Sequence, residues 1–474
     1  MRHVWTIAAV LACALAGCEV GPNYTPPKTP MPAAYTTATQ PVAATQPTIP
    51  TAWWKTFHDP ELDSLIARSV QSNLDIKLAG SRLLESRARQ AFATGSFYPN
   101  VNADGGYSHQ RLSQTAEPFA AVAGTGFTFP FEYDLYQAGF DASWEIDVFG
   151  GQRRSIEAAR ADVAATIENG RDVLLSVMAE VARNYVELRG IQKELTVARQ
   201  NLYVQSQTVD VTKNLFKQGV STQLDVSRAE AQASSTEAQI PFLENLQWQT
   251  IHRLAILLGL EPDALTRELL GIKPIPVPAD SIYVGMPAEL LRRRPDIRRA
   301  ERELAAATAR IGESKADLFP KLNLVGSLGL QSSQTNTLGN WSSRYFTIGP
   351  SISWPIFDAG RLRAALHVST AQQEQALVRY QQTVLTALQE VEDAIIALQT
   401  ERQRSQSLSN SEQANAQSAK LAEDLYRRGL TDFLTVLDAQ RQLYDSQDAL
   451  ARSQQTVTTD AIALYKALGG GWKE

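Results

Sequence analysis

Alternation of apolar and polar positions marks two separate regions of the chain. In YQAGFDASWEIDV, Tyr136, Ala138, Phe140, Ala142, Trp144, Ile146 and Val148 share one face, and Gln137, Asp141, Ser143, Glu145 and Asp147 share the other. KLNLVGSLGLQ sets Leu322, Leu324, Leu328 and Leu330 on one face, and TIGPSISWPI does so with Ile348, Ile352, Trp354 and Ile356. A period of two predicts strands. Alternation over about ten residues with aromatic ends is the pattern of a transmembrane barrel strand, apolar toward lipid and polar toward a lumen; a hairpin of a soluble sandwich shares it. Each region forms one hairpin, with loops SHQRLSQTAEPFAAVAGTGFTFPFEY and QSSQTNTLGNWSSR.

Elsewhere the period is helical. Asp59 and Pro60 open a helix, and proline is missing from Phe131 to Ile240 and from Ile356 to the C-terminus. A helix is expected from Ser155 to Lys217, on the order of 95 Å long at 1.5 Å per residue. Leu195, Leu202, Val209 and Phe216 keep a heptad with Ile191 and Ala198 beside them, so part of this helix packs as a coiled coil. The matching segment ERQRSQSLSNSEQANAQSA is far more polar. It suits a thin wall wetted on both sides, or a solvated coiled-coil arm.

The chain repeats itself. Asp75 pairs with Asp296 and Pro99 with Pro320 at a separation of 221; Trp144 pairs with Trp354, Gly219 with Gly429 and Gly259 with Gly469 at 210. The repeats span 53–265 and 286–474, joined by a linker at 266–285. Two hairpins give four strands, too few to close around their own side chains, and open edges cannot face lipid. Several chains must share one barrel. Two would give about eight strands with a filled interior and three about twelve with a wet lumen. The fold class is α+β, mainly α, in a membrane protein.

Each repeat also makes one helical hairpin. Gly219 and Gly429 can take the left-handed conformation that ends a helix, and Ser221 or Thr222, and Thr431 or Asp432, can cap the next. These turns are expected at the far ends of the long helices. Just beyond them, Asp225 with Arg228 and Asp438 with Arg441 are i,i+3 pairs. In a ring of three chains they would stack carboxylates and guanidiniums at one level; as ordinary surface pairs they contribute a few tenths of a kcal/mol.

Composition narrows the function. A net charge of -5 over 474 residues, with pI near 5.7, gives no basic footprint for nucleic acid. The N-terminal VWTIAAVLACALAG behind Arg2 and His3 reads as a signal-peptide core. It ends in LAGC, the pattern of a bacterial lipobox, which makes residues 1–17 a leader and Cys18 a lipidated first residue. Residues 18–52 are a Pro- and Thr-rich strap from that anchor. The mature chain then has no other cysteine, which excludes disulfides and thiolate metal sites. No P-loop or GxSxG elbow is present, and His3, His58, His109, His252 and His367 form no HExxH set, so no enzyme is expected and no metal. A pore-less periplasmic coiled-coil scaffold is the main rival, with a lipid-anchored enzyme behind it.

The lipobox followed by EVGPNYTPP, together with WWKTFHDPELDSLI, RRRPDI, SWPIFDAGRLR and YRRGLTDFLTVLDAQRQLYDSQDAL, resembles the outer-membrane factor family. These are the TolC-like channels of tripartite efflux systems, here of the lipidated NodT or OprM type. The resemblance covers essentially the whole mature chain. It implies a homotrimer in the outer membrane, a shared barrel of about twelve strands, and a long α-helical barrel across the periplasm. It also implies a periplasmic adaptor and an inner-membrane pump of the RND type as partners, with no cofactor beyond the lipid on Cys18. By the same resemblance Leu434, Asp438 and Arg441 form the closed periplasmic gate, and Asp225 and Arg228 match the corresponding positions of the first tip. Gly219, Val220, Ser221 and Thr222, with Gly429, Leu430, Thr431 and Asp432, match the turns that receive the adaptor. Some members carry a second aspartate where this chain has Thr435, which makes the carboxylate ring sparser.

Overall fold

The computed structural model describes residues 19–36, 50–113 and 131–472. The leader and Cys18 lie outside the described residues, as does most of the first hairpin loop, 114–130. The chain divides into two compact units, each built from parts of both repeats.

The secondary structure repeats almost residue for residue. Helix α1 (Pro60–Ser72) is followed by α2 (Leu74–Gly95), β1 (Asn100–Arg111), β2 (Glu132–Ile146), α3 (Gly151–Lys217) and α4 (Gln223–Leu257). The second repeat gives α5 (Pro295–Ala316), β3 (Lys321–Ser332), β4 (Arg344–Ser353), α6 (Arg361–Arg427) and α7 (Phe433–Ala467). Helices α3 and α6 each hold 67 residues, α4 and α7 each 35, and α2 and α5 each 22. No described helix is long and apolar enough to cross a membrane.

The first unit takes Leu84–Ala165, Glu301–Arg379 and the described part of Met1–Pro27. Its centre is one antiparallel sheet in the order β1-β2-β3-β4. The register aligns Ala103, Phe140, Leu328 and Phe346 across all four strands, and Asn102, Asp141, Ser327 and Thr347 beside them. One face therefore carries the apolar set and the other the polar set, as the alternation requires. The apolar face is uncovered: Phe346 is 79% exposed and Ile352 72%.

Some limits differ from expectation. The strands run further into the expected loops, to Arg111 and from Glu132, because Arg111 and Glu132 pair across the ladder and join in a 2.6 Å ion pair. Likewise β3 continues through Gln331 to Ser332 and β4 starts at Arg344. In contrast, Val148, Trp354 and Ile356 lie beyond the strand ends. The two tryptophans hold equivalent places: Trp144 Nε1–H donates to the Phe97 carbonyl at 3.0 Å and Trp354 Nε1–H to the Leu318 carbonyl at 3.2 Å. Helix α3 begins at Gly151, four residues before the expected Ser155, because Asp147 accepts from the Gln152 and Arg153 N–H groups.

The strap residues in this unit are tied down. Val20 N–H bonds the Phe149 carbonyl at 3.2 Å, Arg154 donates to Asn23 at 2.6 Å, and Tyr24 donates to Glu301 at 3.1 Å.

The second unit is helical, and its core is aromatic at one end. Trp53 is fully buried, stacked on Tyr465 with centroids 5.4 Å apart and edge-on to Phe57. Around it pack Leu62, Leu65 and Ile66 of α1 with Ile251, Leu254 and Leu258. Asp59 caps α1, accepting from Glu61 and Leu62 N–H at 2.9 and 3.1 Å, and Pro60 sits at its first position. The fully buried Arg189 pairs with Glu61, donates to the Gly271 carbonyl at 2.7 Å, and stacks on Tyr185, whose hydroxyl donates to Asp59 at 2.8 Å. Asn73 and Arg294 occupy equivalent places with unlike side chains. Asn73 donates to the Leu257 carbonyl at the end of α4, and Arg294 donates to the Ala467 carbonyl at the end of α7.

Along α3 the expected heptad packs only in part, since Leu202 is half-buried and Phe216, at the last turn, is exposed. Ile191, Leu195 and Ala198 cluster with Leu243 of α4, and Val209 joins Ala229 and Phe433. Helix α4 continues through Pro241 without a break, although that residue has no N–H to give.

Candidate gate and docking tips

The helical turns after α3 and α6 are built alike. At each, glycine ends the helix in a Schellman motif. Gly219 (φ 74°) N–H bonds the Phe216 carbonyl and Val220 N–H the Leu215 carbonyl, both at 2.9 Å. Gly429 (φ 72°) and Leu430 repeat this with Tyr426 and Leu425, again at 2.9 Å. A side chain at either glycine would meet nothing within 4 Å, so the left-handed backbone alone demands glycine.

The next helix starts with a reciprocal cap in the first repeat. Thr222 Oγ1 accepts from Asp225 N–H at 3.2 Å, and Asp225 Oδ2 accepts from Thr222 N–H at 3.1 Å, from its hydroxyl at 2.7 Å and from Ser221 at 3.2 Å. In the second repeat the residue types trade places. Asp432 is the cap, accepting from Thr435 N–H at 3.0 Å and from the Thr435 hydroxyl at 2.6 Å. Partial burial pushes the Asp225 carboxyl up, but its bonds from Thr222 and Ser221 and the Arg228 charge outweigh that and hold it below the usual carboxylate range. Bonds from the Thr435 side chain and backbone lower Asp432 in the same way.

This corrects the expected equivalence of the two Asp/Arg pairs. The helices start 210 residues apart, at Gln223 and Phe433, so Asp225 corresponds to Thr435 and Asp438 to Arg228. The shared spacing is a coincidence of composition. Neither expected i,i+3 ion pair forms among the described residues: Asp225 serves the cap, and Asp438 accepts instead from Gln442 at 3.0 Å.

The apolar residues of the tips are exposed. Val220 is 71% accessible, Leu430 69% and Leu434 51%, an apolar display around turns whose other members are small or polar. Behind the turns, Phe433 packs on Val209 and Ala229 and thereby joins the two hairpins.

A polar seam that the apolar heptad did not reveal continues this joint. Gln440 donates to Thr208 at 3.0 Å, and Asn201 donates to Gln447 at 2.8 Å. Its signal was present as spacing: Asn201 and Thr208, and Gln440 and Gln447, are each seven residues apart, polar members of the same coiled-coil period. Among the described residues, no group of three or more His, Cys, Asp or Glu could hold a metal.

Comparison with known proteins places this architecture. The model of the outer membrane efflux protein family matches residues 65–260 and 286–470, one match in each repeat. The chain is 31% identical to Nodulation protein T of Rhizobium leguminosarum bv. trifolii, over 100% of this chain and 98% of that one. It is 33% identical to the probable efflux pump outer membrane protein TtgC of Pseudomonas putida, over 98% and 95% of the two chains. Among solved structures, the outer-membrane channel OprN superposes with TM-score 0.89 at 36% identity, over 96% of this chain and 100% of the other. The Campylobacter jejuni CmeC outer membrane channel, at 21% identity and TM-score 0.89, shares the fold. With its paired repeats, its amphipathic four-stranded sheet and full-length relatives of this kind, the chain belongs to the outer membrane efflux protein family and is an outer-membrane efflux channel rather than an enzyme.

Proposed function

We propose that three copies assemble one duct of a tripartite efflux system, open to the exterior through a common β-barrel and closed at its periplasmic end by the helical tips. The observation that carries this reading is the sheet itself. It has an uncovered apolar face, a polar face, and two edge strands, β1 and β4, with no partner among the described residues. Such edges are not tolerated in lipid. Four strands from each of three copies give a barrel of about twelve, wide enough for a wet lumen.

The lipid on Cys18 adds a second hold on the outer membrane, which the barrel does not strictly need. The turns Gly219 to Thr222 and Gly429 to Asp432 receive the hairpins of a periplasmic adaptor, which links the duct to an inner-membrane pump of the RND type. Their exposed Val220 and Leu430 supply apolar contact. Leu434, Asp438 and Arg441 narrow the closed end, with Arg228 at the position equivalent to Asp438. Asp225 belongs to the cap and stands behind this constriction. Charged rings at a narrow point set passage by field, and an adaptor opens the tips by binding the open state more tightly.

Light scattering with negative-stain imaging of the detergent-extracted protein tests the reading. A trimer drawn out beyond roughly 100 Å, the length implied by helix rise and bilayer thickness, is expected. A compact monomer would overturn it.

A further inference from the structure

The two repeats carry the same hairpin twice, and their offsets are preserved in the strand register. Moving β1 forward by 221 residues and β2 by 210 carries the pair Ala103–Phe140 onto Leu324–Pro350, and Asn100–Ser143 onto Lys321–Ser353. Both derived pairs are present between β3 and β4. The offsets therefore relate strand pairings, and one pairing of the set has no counterpart among the described residues. The central seam joins β2 to β3, with Gly139 opposite Gly329, Asp141 opposite Ser327 and Ala142 opposite Gly326. Moving β2 on by 210 and β3 back by 221 turns this seam into a pairing of β4 with β1, the two edges of the sheet.

We propose that β4 of one copy pairs antiparallel with β1 of a second copy in that register: Gly349 opposite Ser108, Ser351 opposite Gly106, and Ile352 opposite Gly105. This rests on the shared-barrel reading above and fixes the contact which that reading leaves open. The register meets the chemical demand of each face. It sets Ile348 and Ile352 in the row of Val101, Ala103 and Tyr107, and Thr347 and Ser351 in the row of Gly106 and Ser108. A slip of one residue would set apolar rows against polar ones, so only steps of two compete.

The seam also explains residues stranded beyond β4. The same shifts carry Ile146–Leu322 onto Ile356–Val101. Ile356 is 87% exposed in the single chain, and pairing with Val101 of the next copy would give it an apolar neighbour in the same lipid-facing row. Pro350 and Pro355 have no N–H and leave gaps in the ladder, a tolerable feature in strands that are edges of their own chain.

Disulfide trapping tests the register directly, because the mature chain has only Cys18 as a native cysteine. Directly opposite Cα atoms lie about 4.5–5.5 Å apart, within reach of a disulfide, whereas diagonal neighbours lie about 7–8 Å apart. Gly349 has room for a side chain, with nothing within 4 Å of a Cβ there. Membranes carrying Ser108→Cys with Gly349→Cys, mildly oxidised and run unreduced under denaturing conditions, should give covalent species of two and three chains. Gly106→Cys with Ser351→Cys reports the same register independently, should the first pair fold poorly.

Ser108→Cys with Thr347→Cys, and Ser108→Cys with Ser351→Cys, are each displaced by two residues and should cross-link several-fold less. Stronger trapping in either displaced pair would overturn the register while leaving the shared barrel intact. No trapping in any pair, with a trimeric mass by light scattering, would overturn the β4–β1 seam. No trapping with a monomeric mass would overturn the shared barrel as well.

Discussion

A threonine and an aspartate trade places between the two helical turns, and the exchange shows what sequence spacing hides. Thr222 and Asp432 each give a side-chain oxygen to the first turn of a helix, while Asp225 and Thr435 each sit three residues on. The D-x-x-R spacing suggested that Asp225 and Asp438 were equivalent, yet they are 213 residues apart in repeats offset by 210. Counting from the caps exposes this; matching residue types conceals it. Removing either cap by Thr222→Ala or Asp432→Ala should cost about 1 kcal/mol locally. Tryptic cleavage at Lys217 in the first variant, and at Arg427 and Arg428 in the second, should then quicken about five-fold, with the other tip unaffected. Asp460 illustrates the opposite electrostatic sign. Burial, and then the Glu401 charge, push its carboxyl up to about 6. A carboxyl raised in the folded state binds its proton there before it does in the unfolded chain. Its contribution to stability is thus full below about pH 4 and lost as the pH rises through about 6. Asp460→Asn should therefore raise the thermal midpoint at about pH 7.5 and leave it nearly unchanged at about pH 4; an equal rise at both would assign the effect to packing.

At the scale of elements, the ends were the most legible features where chemistry fixes them and the least where pairing does. Asp59 and Pro60 announced α1, and Gly219 and Gly429 announced two helix ends. Gly259 and Gly469, like Gly219 and Gly429, close Schellman turns at positive φ. The β-strand limits were missed because they depend on what lies across the ladder. Pro241 sits inside α4, where proline ordinarily signals an end. The buried ion cluster was also invisible, since Glu61, Arg189 and Gly271 come together only through folding. Two sets of substitutions separate these causes. Gly219→Ala should cost about 1–2 kcal/mol from the left-handed backbone alone. Gly259→Ala should cost more, because its Cβ would also lie 2.7 Å from the Ser72 carbonyl oxygen. Comparable losses in thermal melts would mean that this contact relaxes freely. Arg189→Ala should destabilise by about 3–5 kcal/mol, since it leaves the Glu61 carboxylate buried with less compensation.

For the molecule as a whole, the repeats made the architecture readable, because a pattern found twice excludes much that a pattern found once allows. The offset of 221 on one side of the first loop and 210 on the other marks both hairpins in the sequence. Composition was weaker evidence, since neither charge nor residue content separates a channel from a coiled-coil scaffold. The sheet separates them by a simple outcome: Cys18→Ser protein should stay with the outer membrane through a high-salt wash, held by its strands, whereas a scaffold anchored only by lipid would be released. The gate calls for a functional measurement. Asp438 is exposed and, among the described residues, bonds only Gln442, while Arg441 has no ion-pair partner among them. In the proposed trimer both charges would thus be free to meet those of neighbouring copies, whereas the Asp225 carboxylate is taken up by three donors. Asp438→Ala combined with Arg441→Ala should raise single-channel conductance in planar bilayers, and Asp225→Ala should leave it close to wild type. If the double variant conducts no better than wild type, the constriction lies elsewhere. If Asp225→Ala alone opens the pore, the integrity of the cap, rather than a ring of charge, keeps the channel shut.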